Sequence, residues 1–468
     1  MDMPMHLTRA WIIHNYSRDS FLQSTFVLSK QPIANLAIDI IGPALLYFLP
    51  PIAVGKMFLS FILLIFVYSC HKISLEIHEK LSWIVPLVSF SIVDQIFLYG
   101  FLNYMFSASL FLLSYLYWRR WKNRWTSARL VGFTLLVTCT YLAHLVGFGL
   151  IGLSIAVEWI ASHWRRPLAG LREFAGFAAF LPGVFIQLYP WPNRVRLDFQ
   201  SLEWSPLLGK LTGLADIFLG SRVYLSALCA LFIVAALGLL VWKCRIRLYV
   251  PVAAVGIILL FIAVICPEQV TAHGGWALDR RFVLPGFTLL SLSLCARGSG
   301  PWLRTIFAIT FLAAAVKTSV QGYDLYCAAQ DTQGKLALLG KCAPNSRIYA
   351  LYELRGLDRT STQYFIHRAN VHANDYMILL NHSIPSSFYA ERGVQPIFYR
   401  NPAQWDRNTY GNNPSKTIDP TTLPERLPLY DYSWTCRLAP QLEARFDAFG
   451  TVIGEVHGCV LRDLRHRD

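Results

Sequence analysis

Residues 130–162 read LVGFTLLVTCTYLAHLVGFGLIGLSIAVEWIAS, a run of 33 residues with no charge before Glu158. A bilayer core about 30 Å thick is crossed by roughly 20 apolar residues in a helix, with about 17–25 the usual range. The run is too long for one ordinary span. Two helices meeting in a tight turn near His144-Leu145-Val146-Gly147 fit it, and one long tilted helix is the alternative. The choice propagates, because a single helix here inverts every later loop.

The same length scale applied outward gives spans near 52–69, 83–98, 102–118, 130–146, 147–162, 173–189, 221–242, 248–266, 282–296 and 304–322. Composition agrees. The 468 residues are 54% hydrophobic and 15% charged, where a soluble domain carries about a quarter charged residues. The formal net charge of +14 does not point to nucleic acid. Residues 324–468 hold 16 Lys+Arg and 15 Asp+Glu, so the remaining +13 lies among the apolar segments of 1–323.

That charge is arranged by side. Loops 70–82, 118–129, 163–172, 243–247 and 297–304 hold 15 Lys+Arg, and the alternate loops 99–101, 143–147, 190–220 and 267–281 hold five. Basic loops stay cytoplasmic. The bias therefore puts the first set inside, favours splitting 130–162, and leaves the chain after about 324 outside. The expected architecture is a membrane all-α helical bundle of about ten transmembrane helices over 1–323. A small C-terminal extracytoplasmic α/β or α+β domain follows over 324–468, with strand-like runs at Arg347–Tyr352, Tyr376–Leu380 and Gly450–Leu461.

Six of the ten cysteines lie in or beside spans and serve as small apolar residues. Cys327, Cys342, Cys436 and Cys459 lie in the outer tail, where an oxidising compartment permits disulfides in three pairings. Cys327–Cys342 and Cys436–Cys459 are the expected pairs. No Walker A run, Rossmann glycine fingerprint, HExxH motif, zinc-type Cys/His spacing or internal repeat is present.

The N-terminal segment reads Asp2-Met3-Pro4-Met5-His6-Leu7-Thr8-Arg9, and Asn35-Leu36-Ala37-Ile38-Asp39 follows. Further on come Gly100-Phe101-Leu102-Asn103-Tyr104-Met105-Phe106, Tyr141-Leu142-Ala143-His144-Leu145-Val146-Gly147-Phe148-Gly149, and Gly274-Gly275-Trp276-Ala277-Leu278-Asp279-Arg280-Arg281-Phe282. In order and topology these runs resemble bacterial membrane proteins of the C-type glycosyltransferase (GT-C) superfold over most of residues 1–325. The family pattern has an Asp-x-Pro-x-His-x-x-Arg-like run and later a Pro-Asn-Leu-Ala-x-Asp-like run. This chain departs from it with Ile33-Ala34 before Asn35 and with Met5 where Asn is common.

The resemblance implies a multi-pass protein of the bacterial inner membrane. It implies transfer of a sugar from a polyprenyl-phosphate carrier to an envelope glycan, lipid or protein acceptor at the outer face. In that reading Asp2 and Asp39 are the catalytic carboxylates, acting as general base or holding a divalent cation. His6, Arg9, Asn103, His144, His273, Asp279, Arg280 and Arg281 bind substrate. An acceptor hydroxyl needs a proton acceptor, and a departing phosphate develops charge that arginine holds well.

Each residue also has an ordinary reading. Asp39 in an apolar run fits a structural salt bridge, and Asp94 a packing or interfacial role. Asn103 fits a helix cap, and His144 a hydrogen-bonded turn residue. Asp279 with Arg280 and Arg281 fits an ion pair steadying a loop. Asp198 and Glu203, near Trp191 and Trp204, fit a solvated loop or an acceptor path. The family places a helix ahead of its first outer loop. The expectation is therefore a helix upstream of Met1, or a span over 33–50 that leaves Asp2 cytoplasmic. Pro43, Pro50, Pro51 and Asp39 make 33–50 a poor simple span. Besides the transferase, a non-enzymatic member of the same fold that binds lipid carrier or assists envelope assembly is a second class. A transporter is a third, which the near-surface placement of the polar residues disfavours.

Overall fold

A computed structural model describes the chain apart from residues 1–2, 30, 80–83, 86–87, 89–90, 166, 192–201, 219, 244, 271–276, 298–300, 354–364, 367–369, 371, 389, 391–394, 402–422 and 466–468. Asp2, Asp198 and His273 lie outside the described residues. The chain is mostly helical and packs as two compact units. One comprises Met1–Lys30, Asp39–Gly55 and Gln321–Asp468, and the other comprises Gln31–Ile38 and Lys56–Val320. Residues 1–30 and 39–55 thus group with the C-terminal part.

The helices used below are α1 (Met3–Asn15), α2 (Ala37–Leu45), α3 (Pro51–His78), α4 (Leu102–Trp121), α5 (Ser127–Ala143), α6 (Leu145–His163), α7 (Val223–Lys243), α8 (Val250–Ile265), α9 (Val283–Leu292) and α10 (Pro301–Leu339). Among the described residues, three stretches are long and apolar enough to cross a membrane: α3, α6 and Arg304–Leu339 of α10. Shorter apolar stretches are Ser127–Ala143, Val223–Phe232 and Val250–Ile265.

The run 130–162 is two helices. His144 between them is extended (φ −169°, ψ 135°) and caps α6 by accepting from Val146 N. Ser107 Oγ on α4 donates to the carbonyls of Thr140 and His144, which holds the break against α4. Gly147 is required there, since a Cβ would sit 1.9 Å from Ser107 Oγ.

Other segments differ from expectation. Residues 173–189 are not one α-helix: Pro167–Phe180 is 3-10, and a short α-helix follows over Leu181–Leu188. The segment is closely packed. A Cβ at Gly170 would lie 2.4 Å from Trp159 Nε1, and one at Gly176 would lie 2.8 Å from Trp125 Cζ2. In place of a helix over 282–296, α9 ends at Leu292, and strand β3 (Leu294–Arg297) pairs antiparallel with β2 (Arg245–Leu248). Of 83–98, the described residues Ile84, Val85 and Val88 are helical, 91–94 form a turn, and a short helix Gln95–Tyr99 follows, N-capped by Asp94. The helix that holds the last expected span, 304–322, runs on to Leu339.

One buried ion cluster joins α4, α6 and the 3-10 segment. Glu158, fully buried, accepts from the Tyr115 hydroxyl and from Arg119 Nη1 at 2.5 Å, with Lys122 Nζ at 3.5 Å. Lys122 also lies 3.5 Å from Glu173, which faces His163 at 3.7 Å. The Arg119 guanidinium lies 5.0 Å from the Tyr249 ring centre.

The first unit contains a five-stranded mixed sheet in the order β5-β4-β7-β9-β8. Its strands are β4 (Arg347–Tyr352), β5 (Ile384–Pro385), β7 (Tyr432–Cys436), β8 (Thr451–Val456) and β9 (Cys459–Asp463). Alternation along β4 sends Ile348, Ala350 and Tyr352 to one core with Trp434 and Leu339, and Tyr349 and Leu351 to another with Phe446 and Leu427. The expected strand Tyr376–Leu380 is instead helical over Met377–Asn381. Strand β1 (Phe26–Leu28) pairs antiparallel with β6 (Ile397–Tyr399), so the N-terminal segment shares a core with residues 378–399. Cys436 and Cys459, cross-strand partners on β7 and β9, form a disulfide. Cys327 and Cys342 carry free thiols. The twelve helical steps from Cys327 to Leu339, three residues before Cys342, rise about 18 Å at roughly 1.5 Å each and carry the chain away from Cys327.

Candidate active site

In the first unit, His6 and Arg9 lie one turn apart on α1 and share a face. The Arg9 side chain is fully buried and grips Asp39 with two parallel bonds, Nε to Oδ1 and Nη2 to Oδ2, each 3.0 Å. Asp39 sits in the first turn of α2, where the helix dipole also favours a carboxylate. Arg9 Nη1 donates to Gln395 Oε1, and Arg9 Nη2 meets His6 Nδ1 at 2.7 Å. A guanidinium only donates. His6 Nδ1 is therefore the acceptor, and the ring carries its proton on Nε2. Burial first, then the charges of Arg9 and His372, hold the His6 pKa well below its usual value, so the ring is neutral at pH 7.

A second buried polar group lies near enough for the His372 charge to act on His6. His372 Nδ1 meets Asp375 Oδ2 at 3.1 Å, and Thr8 Oγ1 donates to the Asp375 carbonyl at 3.0 Å. Asn374 Nδ2 donates to Ser387 Oγ at 2.6 Å, and the Tyr352 hydroxyl donates to Asn374 Oδ1 at 3.2 Å. All of these residues are buried.

In the second unit, Asn103 is not a cap. Its amide nitrogen donates to the Asn35 carbonyl at 2.7 Å, and its oxygen accepts from Ile38 N at 3.0 Å, which straps the backbone leading to Asp39. Asn35 occupies the left-handed region (φ 85°), which asparagine tolerates better than most residues. Beside Asn103, the Tyr104 hydroxyl donates to the Arg281 carbonyl at 2.5 Å. The Arg281 guanidinium lies 4.8 Å from the Phe101 ring centre and 5.6 Å from that of Tyr104. Its Nη1 is 2.7 Å from His144 Nε2. Burial draws the Arg281 pKa down to about 10, so it stays cationic at neutral pH. Burial and the Arg281 charge push His144, at the turn between two helices, well below its usual value.

Asp279 is paired, but not with arginine. Lys210 Nζ donates to Asp279 Oδ2 and to the Cys266 carbonyl, each at 2.6 Å, while Asp279 Oδ1 accepts from Arg280 N at 2.8 Å. Arg280 itself is half-buried.

Three of the residues expected at the site, His6, Arg9 and Asp39, therefore meet in the first unit. His144 and Arg281 meet in the second, which also holds Asn103, Asp279 and Arg280. The sequence reading missed Gln395, His372 and Asp375. Gln395 is 386 positions from Arg9, and no local pattern marks it. Lys210 carried a signal, as one of five basic residues in the outer loops.

Among the described residues no group of three or more His, Cys, Asp or Glu side chains is arranged to hold a metal ion. Asp39 has a guanidinium across both oxygens, a poor donor set for a cation.

No protein-family model matches the chain, and no curated protein matches it. The chain is similar to the crystal structure of ArnT from Cupriavidus metallidurans in the apo state, at 12% identity over 98% of this chain and 92% of that one, with a TM-score of 0.33. A likeness of that size fixes neither fold nor function.

Proposed function

We propose that the protein is an integral membrane glycosyltransferase of the GT-C type. It would transfer a sugar from a polyprenyl-phosphate carrier to an envelope acceptor at the extracytoplasmic face of a bacterial inner membrane, with about ten spans. The observation that carries this reading is that residues from separate family-like runs bond to one another. Arg9 of the first run grips Asp39 of the second, and Arg281 of the last meets His144 and Tyr104 of two others.

Supporting orientation, the basic loops segregate fifteen to five, and the Cys436–Cys459 disulfide suits an oxidising compartment. In the reaction the acceptor hydroxyl attacks the anomeric carbon as the bond to carrier phosphate breaks. A carboxylate, Asp2 or Asp39, takes the hydroxyl proton. Arg280 and Arg281 stabilise the charge on the departing phosphate. Asp39 is buried with Arg9 across both of its oxygens, so base action there requires that the acceptor hydroxyl be admitted beside the ion pair.

That same grip favours a second reading. A carboxylate held bidentately by a buried arginine is also what a purely structural pair looks like, and it suits a non-enzymatic carrier-binding protein of the same fold. Asp2→Asn, Asp39→Asn and Arg280→Gln, measured separately for sugar incorporation into envelope glycans, distinguish the two. The transferase reading expects a loss on the order of a hundredfold in at least one carboxylate variant. Full incorporation in all three would remove the site assignment.

A further inference from the structure

We propose that His144 and Arg281 are the two walls of a site for a phosphoryl anion, which enters between them and accepts from both. The inference rests on the carrier reading above and deepens it, because it assigns His144 a fixed tautomer and a donor role.

The argument starts from a count of protons. A neutral imidazole has one N–H and one lone pair. Both ring nitrogens of His144 face donors: Val146 N donates to Nδ1 at 3.1 Å, and Arg281 Nη1 stands 2.7 Å from Nε2. Neither outside donor has an accepting lone pair. If Nδ1 accepts from Val146, as the cap of α6 requires, the proton is on Nε2 and points at Arg281. If the proton moves to Nδ1, the cap bond is lost. An imidazolium is worse on both sides. One contact therefore cannot be a hydrogen bond in any charge state of His144 while Arg281 is cationic.

The cap is the firmer of the two. It belongs to the start of a 19-residue helix, and the His144 carbonyl is held by Ser107. The frustrated contact is the one with Arg281, where two N–H groups converge on a spot suited to one acceptor oxygen. Phe101 and Tyr104 flank the guanidinium, and the Tyr104 hydroxyl holds the Arg281 carbonyl. Arg281 is 7% exposed, so an anion replaces a strained contact rather than a well-solvated one. A phosphate monoester offers several anionic oxygens and receives both donors with a small rotation of the arginine side chain.

The test uses the full chain in lipid nanodiscs, titrated with inorganic phosphate, farnesyl phosphate and farnesol and followed by melting temperature. His144→Asn is the informative variant, because asparagine caps helices well and is too short to reach Arg281. The wild type is expected to bind farnesyl phosphate and not farnesol, and H144N to bind it at least about tenfold more weakly with its unliganded melting temperature preserved. Affinity in H144N within twofold of wild type would overturn the role of His144 while leaving the carrier reading intact. Binding of neither phosphate probe by wild type would overturn both. Binding of inorganic phosphate but not farnesyl phosphate would support the anion site and remove the lipid carrier. Should H144N fail to fold, nitrogen-15 spectra of histidine-labelled wild type decide the matter. The proposal requires the Nε2–H tautomer and a shift of that signal on adding phosphate, and an Nδ1–H tautomer contradicts it.

Discussion

Arg9 shows how much a single side chain organises. It holds Asp39 with two bonds, Gln395 with a third and the neutral ring of His6 with a fourth, all without solvent. His6 carries a testable consequence. Its folded pKa lies below the unfolded value of about 6.5. Below that pH the unfolded state binds the proton more readily, so the contribution of His6 is full above about 6.5 and is lost as pH falls toward the folded pKa. The slope reaches at most about 1.4 kcal/mol per pH unit. Melting temperature measured from pH 7.5 to 5.5 is expected to fall more steeply for wild type than for His6→Gln, whose amide oxygen still accepts from Arg9. Equal slopes would mean that His6 does not titrate in this way. At this scale the sequence was informative where partners are near in the chain. Asp39 stood out as a carboxylate in an apolar run, and His6 and Arg9 by the family-like run they share, whereas Gln395 meets Arg9, and Asp375 meets Thr8, only through the tertiary fold.

Among the elements, the break at His144 was legible, because 33 nearly uncharged residues exceed one span and the charge of later loops fixes the parity. The 3-10 stretch Pro167–Phe180 was not. Its apolar composition matches a helix, and nothing local marks the close packing of Gly170 and Gly176 against tryptophans elsewhere in the chain. Glu158 appeared in the sequence only as the charge ending a run, yet it ties α4 to α6. Removing one member of a buried ion cluster strands the others. Glu158→Gln is expected to cost about 3–5 kcal/mol, read as a lower midpoint in denaturant unfolding. Glu158→Leu combined with Arg119→Met is expected to cost less than the single change. A double variant worse than E158Q would show that the charges contribute more than their own mutual compensation.

For the whole molecule, composition announced a membrane protein, and the asymmetry of arginine and lysine gave it a proposed direction. The grouping of residues 1–30 and 39–55 with the C-terminal part was not legible, because the β1–β6 pairing joins segments about 370 residues apart and depends on a shared core rather than on any local pattern. Orientation can be read by labelling. Glu455 and Arg124 are both exposed, on opposite proposed sides. In intact spheroplasts a membrane-impermeant maleimide is expected to label E455C above the wild-type background. R124C should be labelled only after permeabilisation, and the reverse pattern would invert the topology.

The central claim is that this chain moves a sugar from a polyprenyl-phosphate carrier to an envelope acceptor. Mass spectrometry of envelope glycans, lipids and proteins tests it most directly, comparing cells with and without the gene and cells complemented by wild type or Arg281→Ala. One sugar substituent is expected to vanish with the gene, return with wild type and stay absent with R281A at equal protein level. Identical glycosylation in all four strains would contradict it.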